Sequence, residues 1–283
     1  MVTPFRDDFS LDLERAQEVA AWLLDHGSDA LVIAGTTGEG ATLSDEEKVE
    51  LWQATVEAAK GKGKIIAGTG TNDTSHSIHL TKEAERLGCD AALVVAPYYN
   101  KPPQTGLYEH FKAVAASTSL PVILYNVPSR TSVQISNETI LRLAEIDNIV
   151  GVKDATGDLN LASELMSAAP GGFELISGDD AFTFALVCLG ATGVISVSSH
   201  VVGEQMAEMI SLTERGDIDG ARKIHHQLLP IYKALFMTTS PIPVKAAMGL
   251  IGQPVGPPRL PLVPATKDEI AAVEKALEDA GVR

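Results

Sequence analysis

The sequence predicts an α/β protein, a (β/α)8 barrel with a C-terminal helical appendage. Three observations predict it. Apolar strand-like runs alternate with amphipathic helical stretches over about 200 residues, the length and order of eight βα units. Gly27, Gly61 and Gly88 fall where helical stretches should stop. No dinucleotide fingerprint follows the first run, which argues against a doubly wound sheet, the other fold that such alternation permits.

In order, strands are expected at 29–34 (DALVIA), 64–68 (KIIAG), 90–96 (DAALVVA), 120–125 (LPVILY), 149–153 (IVGVK), 173–177 (FELIS) and 192–197 (TGVISV). Helical patterns lie between them, near 12–26, 44–60, 74–87, 105–118, 136–146, 160–168 and 180–190. Ser44 and Glu47 make a capping box that opens the second helix. Residues 1–4 supply an eighth strand if they form the end of one. The chain opens at MVTPF, so that strand is expected to be short, with neighbouring backbone groups under-paired. After Val201 the pattern is helical only, at about 201–214, 218–238, 241–252 and 266–281. The proline-rich run QPVGPPRLPLVP separates the last two as an extended strap. The expected division is a barrel, 1–215, carrying the active site, and a helical region, 216–283.

Composition narrows the function. The 283 residues are 45% hydrophobic, enough for a sizeable core, and no apolar run approaches the ~20 residues of a membrane span. A net charge of −15 argues against nucleic-acid binding, which needs a basic stripe. No signal peptide precedes the first helix, so a cytoplasmic protein is expected. Cys89 and Cys188 lie far apart in apolar or helical contexts, and both are expected to be buried free thiols. No cluster has metal-ligand spacing, and there is no Walker A motif, serine elbow or carboxylate pair suited to glycoside chemistry, so no metal is expected.

The strand ends carry the chemistry in a barrel. In IVGVKDATGD, Lys153 stands where the fifth run meets a glycine-containing turn, on the same face as Gly151, whose missing side chain leaves room for a small molecule. An apolar approach disfavours the ammonium form, and a neutral amine is a nucleophile toward carbonyls. After the first run, GTTGEGATLS offers Thr36 and Thr37 beside free backbone N–H groups, which suits a carboxylate or phosphate, although a capped glycine turn looks the same. PYYNKPP holds Tyr98 and Tyr99, which serve as proton relays or as packing anchors. YNVPSRT brings Tyr125 and Arg130, the latter suited to a carboxylate or to a surface ion pair. In SGDD, Asp179 or Asp180 caps the next helix. His200 has no partner in sequence and reads as structural or surface. An amine, phenols, hydroxyls and one guanidinium together suit imine chemistry on a keto acid, without a metal.

The ordered series GTTGEGATL, AGTGTN, PYYNKPPQTGLYEHF, ILYNVPSRT, GVKDATGD, SGDDAF, GATGVISV, PIPVKAA and RLPLVP resembles the dihydrodipicolinate synthase family along essentially the whole chain. These are class I aldolase-type lyases with a TIM barrel and C-terminal helices. The resemblance implies condensation of pyruvate with L-aspartate 4-semialdehyde through a lysine Schiff base, with no cofactor. The product is 4-hydroxy-tetrahydrodipicolinate, the entry to diaminopimelate and lysine synthesis. It makes Lys153 the Schiff-base lysine and Tyr125 the proton-shuttling phenol. By the same resemblance Thr36 would link Tyr125 to a second phenol, Tyr99, which would cross a subunit interface in a homotetramer built as a dimer of dimers. Thr37 would contact the pyruvate carboxylate, and Arg130 would meet the carboxylate of the semialdehyde. Gly178, Asp179 and Ile195 would lie near the substrates. Asn72, His76 and Tyr98 match an inhibitory lysine site, whereas Gly40, Asp45 and Lys48 depart from strongly inhibited members, so weak or absent feedback is expected. N-acetylneuraminate lyase and keto-sugar-acid aldolases share the lysine and tyrosine. A non-catalytic keto-acid sensor on the same scaffold would be expected to lack one of them.

Overall fold

The computed structural model describes residues 1–282. Among them, seven strands form one sheet in sequential order: β1 (Ala30–Ile33), β2 (Lys64–Gly68), β3 (Ala91–Val95), β4 (Val122–Asn126), β5 (Ile149–Asp154), β6 (Glu174–Ser177) and β7 (Gly193–Val194). Pairing from β2 to β7 is parallel throughout. Helices α1 (Leu13–Asp25), α2 (Asp45–Ala59), α3 (Thr74–Arg86) and α4 (Gln104–Ala115) fall between or before the first strands. They are followed by α5 (Pro128–Thr131), α6 (Asn137–Leu143), α7 (Leu159–Ala168) and α8 (Thr183–Cys188). The chain ends in α9 (Ser199–Glu214), α10 (Ile218–Leu235), α11 (Ile242–Leu250) and α12 (Lys267–Asp279).

Contacts group these residues into two compact units. The first, residues 66–195, is a run of βα repeats. Its central strands are buried along nearly their whole length, as expected when helices cover one face of a parallel sheet and packed side chains the other. The second, residues 1–65 with 196–283, packs α1 against α2 and α10 against α9 and α12. Trp52 of α2 is fully buried there, with its indole N–H 3.4 Å from Ile33 O. Arg15 of α1 holds the strap, donating to Pro254 O at 2.8 Å and Gln253 Oε1 at 2.7 Å. The capping box at Ser44 and Glu47 is present, and a second one, Thr266 with Glu269, opens α12.

Three expectations need correction. Residues 1–4 form no ladder strand; instead the Met1 amine donates to Val32 O at 2.7 Å and the Val2 N–H donates to His200 Nε2 at 3.0 Å. The last strand is two residues long, because the chain turns at Ser196–Ser199, where the Ser199 N–H bonds Ser196 Oγ at 2.9 Å, and enters α9. Cys188 is exposed, whereas Cys89 is buried and burial pushes its thiol up to about 12.

His200 is buried and structural. Its Nδ1 lies 2.8 Å from Val197 O and its Nε2 accepts from Val2, an arrangement that requires the neutral tautomer with the proton on Nδ1. Burial, reinforced by the N-terminal charge, lowers it to about 3. The folded value lies below that of the unfolded chain, so unfolding takes up a proton between about pH 3 and pH 6.5. The stabilisation is therefore complete above the upper limit and lost as pH falls through the window. The His200→Asn variant is expected to flatten the stability–pH curve between pH ~4 and ~6, read as urea midpoints. An unchanged slope would remove His200 from the account.

Candidate active site

Register places the central pair. Tyr125 is the partner of Lys153 across β4 and β5, and Lys153 is the partner of Ile176 on β6. Partnered residues share a face, so the amine and the phenol lie side by side. Lys153 is only 8% exposed, and its Nζ lies 4.2 Å from the centroid of the Tyr125 ring. Gly178 follows β6 beside them. A Cβ there would sit 3.1 Å from Lys153 Cε and 2.9 Å from Asp154 O, so glycine keeps the lysine's path open. Ile195 extends the same edge, its N–H donating to Ser177 O at 2.9 Å.

Gly151 has a different role from the one expected. A Cβ at that position would meet Glu174 O at 2.5 Å, so glycine serves the close approach of β5 to β6 rather than space for a ligand.

The opposite face of the same strand ends was not legible as functional. Asn126, Asp154 and Ser177 are partners in register and all are buried. Each holds the loop that follows its own strand. Asn126 donates to Ile135 O and accepts from Ile135 N–H, both at 3.0 Å, closing the loop that carries Arg130. Asp154 accepts from the Thr156 N–H at 3.2 Å and the Thr156 hydroxyl at 3.1 Å; burial raises its carboxyl above the ordinary range and these bonds oppose the rise. Ser177 Oγ donates to Asp179 O at 2.8 Å and accepts from Thr183 at 3.1 Å. Alternation was the available signal: a polar residue next to each inward-facing one at a strand end.

The Asp179 carboxylate accepts from the Ala181 N–H at 2.9 Å, making a turn ahead of α8, which starts at Thr183 rather than at 180. Arg130 stands exposed on α5. Thr36 and Thr37 lie in the turn after β1, Thr36 exposed and Thr37 half-buried. Tyr99, unlike the buried Lys153, is 89% exposed, on left-handed backbone at φ 72°.

Of the effector candidates, Asn72 and the Tyr98 turn meet through Asn100, whose Nδ2 donates to Asn72 O at 2.8 Å. His76 opens α3, its N–H bonded to the Asp73 cap at 2.7 Å. Lys48 is buried on α2 with its Nζ 3.7 Å from Asp45. A Cβ at Gly40 would meet Ala34 O at 2.1 Å, so the turn as folded requires glycine there.

Among the described residues no group of His, Cys, Asp and Glu is disposed to hold a metal, and no helix is long and apolar enough to cross a membrane.

Sequential βα repeats, helices at the C-terminus and a buried lysine paired with a tyrosine at a strand end define the class, a (β/α)8 TIM-barrel enzyme. The chain belongs to the Dihydrodipicolinate synthetase family, whose model matches residues 1–280. It is 51% identical over 282 residues to the 4-hydroxy-tetrahydrodipicolinate synthase of Moorella thermoacetica, covering 100% of this chain and 97% of the relative. Among solved structures it resembles the enzyme from Cyanidioschyzon merolae with lysine bound, with a TM-score of 0.98 and 43% identity over 100% of this chain and 97% of that one. It also resembles the chloride-inhibited enzyme from Acinetobacter baumannii complexed with pyruvate, with a TM-score of 0.97, 42% identity and the same coverage, 100% and 97%.

Proposed function

We propose that the protein is a Schiff-base-forming lyase that condenses pyruvate with L-aspartate 4-semialdehyde to give 4-hydroxy-tetrahydrodipicolinate, in diaminopimelate and lysine synthesis. The observation that carries this reading is the buried Lys153 amine beside Tyr125, 4.2 Å from its ring. The full-length likeness to the Moorella thermoacetica synthase supports it.

In this reading the Lys153 amine adds to C2 of pyruvate and loss of water leaves a protonated imine. The imine withdraws electrons from C3, which gives up a proton and becomes the nucleophilic carbon of an enamine. That carbon bonds to the aldehyde carbon of the second substrate, whose oxygen takes a proton and becomes the product hydroxyl. The substrate's own amine then adds at C2, the C2–Lys153 bond breaks and lysine is regenerated. Tyr125 moves the protons, with Thr36 and a partner subunit's phenol, equivalent to Tyr99, completing the relay. Thr37 receives the pyruvate carboxylate and Arg130 that of the semialdehyde, a task suited to a guanidinium fork. Gly178, Asp179 and Ile195 border the two substrates.

The chemistry calls for no cofactor beyond the covalent imine. The exposed Tyr99 fits a homotetramer in which dimers share their sites, in the cytoplasm, with residues 1–215 carrying the chemistry and 216–283 as the helical appendage. Lysine binding at Asn72, His76 and Tyr98 would be weak, because Gly40, Asp45 and Lys48 depart from the residues of strongly inhibited members.

Purified protein is to be assayed with pyruvate plus L-aspartate 4-semialdehyde and, separately, with N-acetylneuraminate. Turnover is expected with the first pair only. Cleavage of the sialic acid at higher kcat/KM would favour the lyase branch of the family. Pyruvate binding without turnover of either would leave a keto-acid sensor.

A further inference from the structure

The turn that bears Thr36 and Thr37 rests on a buried carboxylate. Glu39 is only 4% exposed and holds left-handed backbone at φ 54°, a conformation disfavoured for any residue with a Cβ. A buried carboxylate also needs a counter-charge. Two C-terminal elements supply what it needs. Lys245 of α11, 6% exposed, places Nζ 2.6 Å from Glu39 Oε1 and 3.1 Å from Pro257 O. The backbone N–H of Arg259, in the strap, donates to Glu39 Oε2 at 2.8 Å. The Arg259 guanidinium donates to Thr42 O at 3.1 Å and to Glu47 at 2.5 and 2.7 Å. The Phe5 ring faces both cations, 4.5 Å from Lys245 Nζ and 4.2 Å from Arg259 Cζ. Burial pulls the Lys245 ammonium down and the adjoining Glu39 carboxylate opposes that shift.

The backbone of the same residue is tied to the threonines. The Glu39 N–H donates to Thr36 O and the Gly40 N–H to Gly35 O, both at 3.1 Å. Glu39 therefore couples two C-terminal segments by its side chain to the Thr36 carbonyl by its main chain. If the ion pair served only to fasten the C-terminus, the left-handed residue would not have to be the one bonded to Thr36.

We propose that Glu39, clamped by Lys245 and Arg259, is a positioning residue that holds the Gly35–Thr37 turn so that both hydroxyls are set before substrate arrives. This makes the C-terminal region part of the apparatus that turns substrate over. The inference rests on the roles given to Thr36 and Thr37 above.

The test is a double-mutant cycle of Glu39→Gln with Thr36→Val, scored by steady-state kinetics and by borohydride trapping of pyruvate. Glu39→Gln is expected to lower kcat by about 10- to 100-fold, the scale of a small misplacement, while trapping at Lys153 persists and the KM for the semialdehyde stays within about twofold. In the Thr36→Val background the same substitution is expected to cause a further loss at least about threefold smaller, the remainder being what Thr37 carries. A kcat for Glu39→Gln within about twofold of the parent would overturn the proposal. So would an equal loss in both backgrounds, the mark of a purely structural role. Should Glu39→Gln fail to fold, Glu39→Asp takes its place, keeping the charge but drawing the carboxylate back from the Lys245 ammonium and the Arg259 N–H. Should Thr36→Val keep the full rate, the relay role of Thr36 falls, and the same cycle built on Thr37→Val decides the role of Glu39.

Discussion

Lys153→Ala is expected to lower kcat by at least about 10³-fold and to abolish the mass increment that borohydride and pyruvate leave on the peptide containing residue 153. The size of the effect follows from the chemistry: without the amine there is no imine and no electron sink at C2. Tyr125, buried beside it, retains its place on β4, so the variant should fold. Lys153→Arg is expected to be equally inactive. A guanidinium keeps its proton, and its lone pairs are delocalised, so it does not add to a ketone. Retained trapping in either variant would move the nucleophile to another lysine and overturn the reading of this strand end. Lys245→Arg controls the trapping assay alone: Lys245 is another buried lysine, the reading gives it no covalent role, and the increment on residue 153 is expected to persist even where loosening the Glu39 clamp lowers kcat.

Asn126→Leu is expected to be strongly destabilising. The amide of Asn126 satisfies both backbone groups of Ile135, itself 1% exposed. Leucine fills similar space but leaves a buried N–H and a buried C=O without partners. At 1–3 kcal/mol each, the loss comes to about 3 kcal/mol, or about 6–12 °C in Tm for a chain of this size. Asn126→Asp can still accept from the Ile135 N–H but cannot donate to its carbonyl, so it should fall between the two. The same loop carries Arg130 on α5, so the surviving Asn126→Leu enzyme is expected to show a raised KM for the semialdehyde with a smaller change for pyruvate. A Tm within about 2 °C of the parent would mean that the loop finds other partners.

Much of the fold was legible because the chain signals its elements locally. The capping box at Ser44 and Glu47, the glycine stops and the continuous apolar runs each act over a few residues, and six of the seven expected strands form within a few residues of their expected limits. The seventh was overestimated because TGVISV has strand-like apolarity throughout, while the serines that turn the chain into α9 do so through backbone geometry that periodicity does not register. The exposed Cys188 is a related case: an apolar segment does not reveal which way its last residue faces.

The catalytic candidates divide in the same way. Lys153, Tyr125, Thr36, Thr37 and Arg130 were found from residue type and from their places at strand ends, and the resemblance to a family assigned their roles. Asn126, Asp154, Ser177, Glu39 and Lys245 were not singled out, because their partners are backbone atoms or charges brought near by folding. Lys245 and Glu39 lie more than 200 positions apart, and no local pattern encodes such a pair.

By itself the sequence determined an alternating α/β chain with helices after Val201, a lysine at the end of a buried strand and a family membership that spans nearly every residue. Only the tertiary structure decided which strands stand in register, and so that Lys153 faces Tyr125, that Gly151 serves strand contact and that His200 is a neutral buried clamp. The physical reason is range. Propensity, caps and periodicity act across a few neighbouring residues, whereas register, burial and charge pairing depend on groups that only the folded chain brings within a few ångströms of one another.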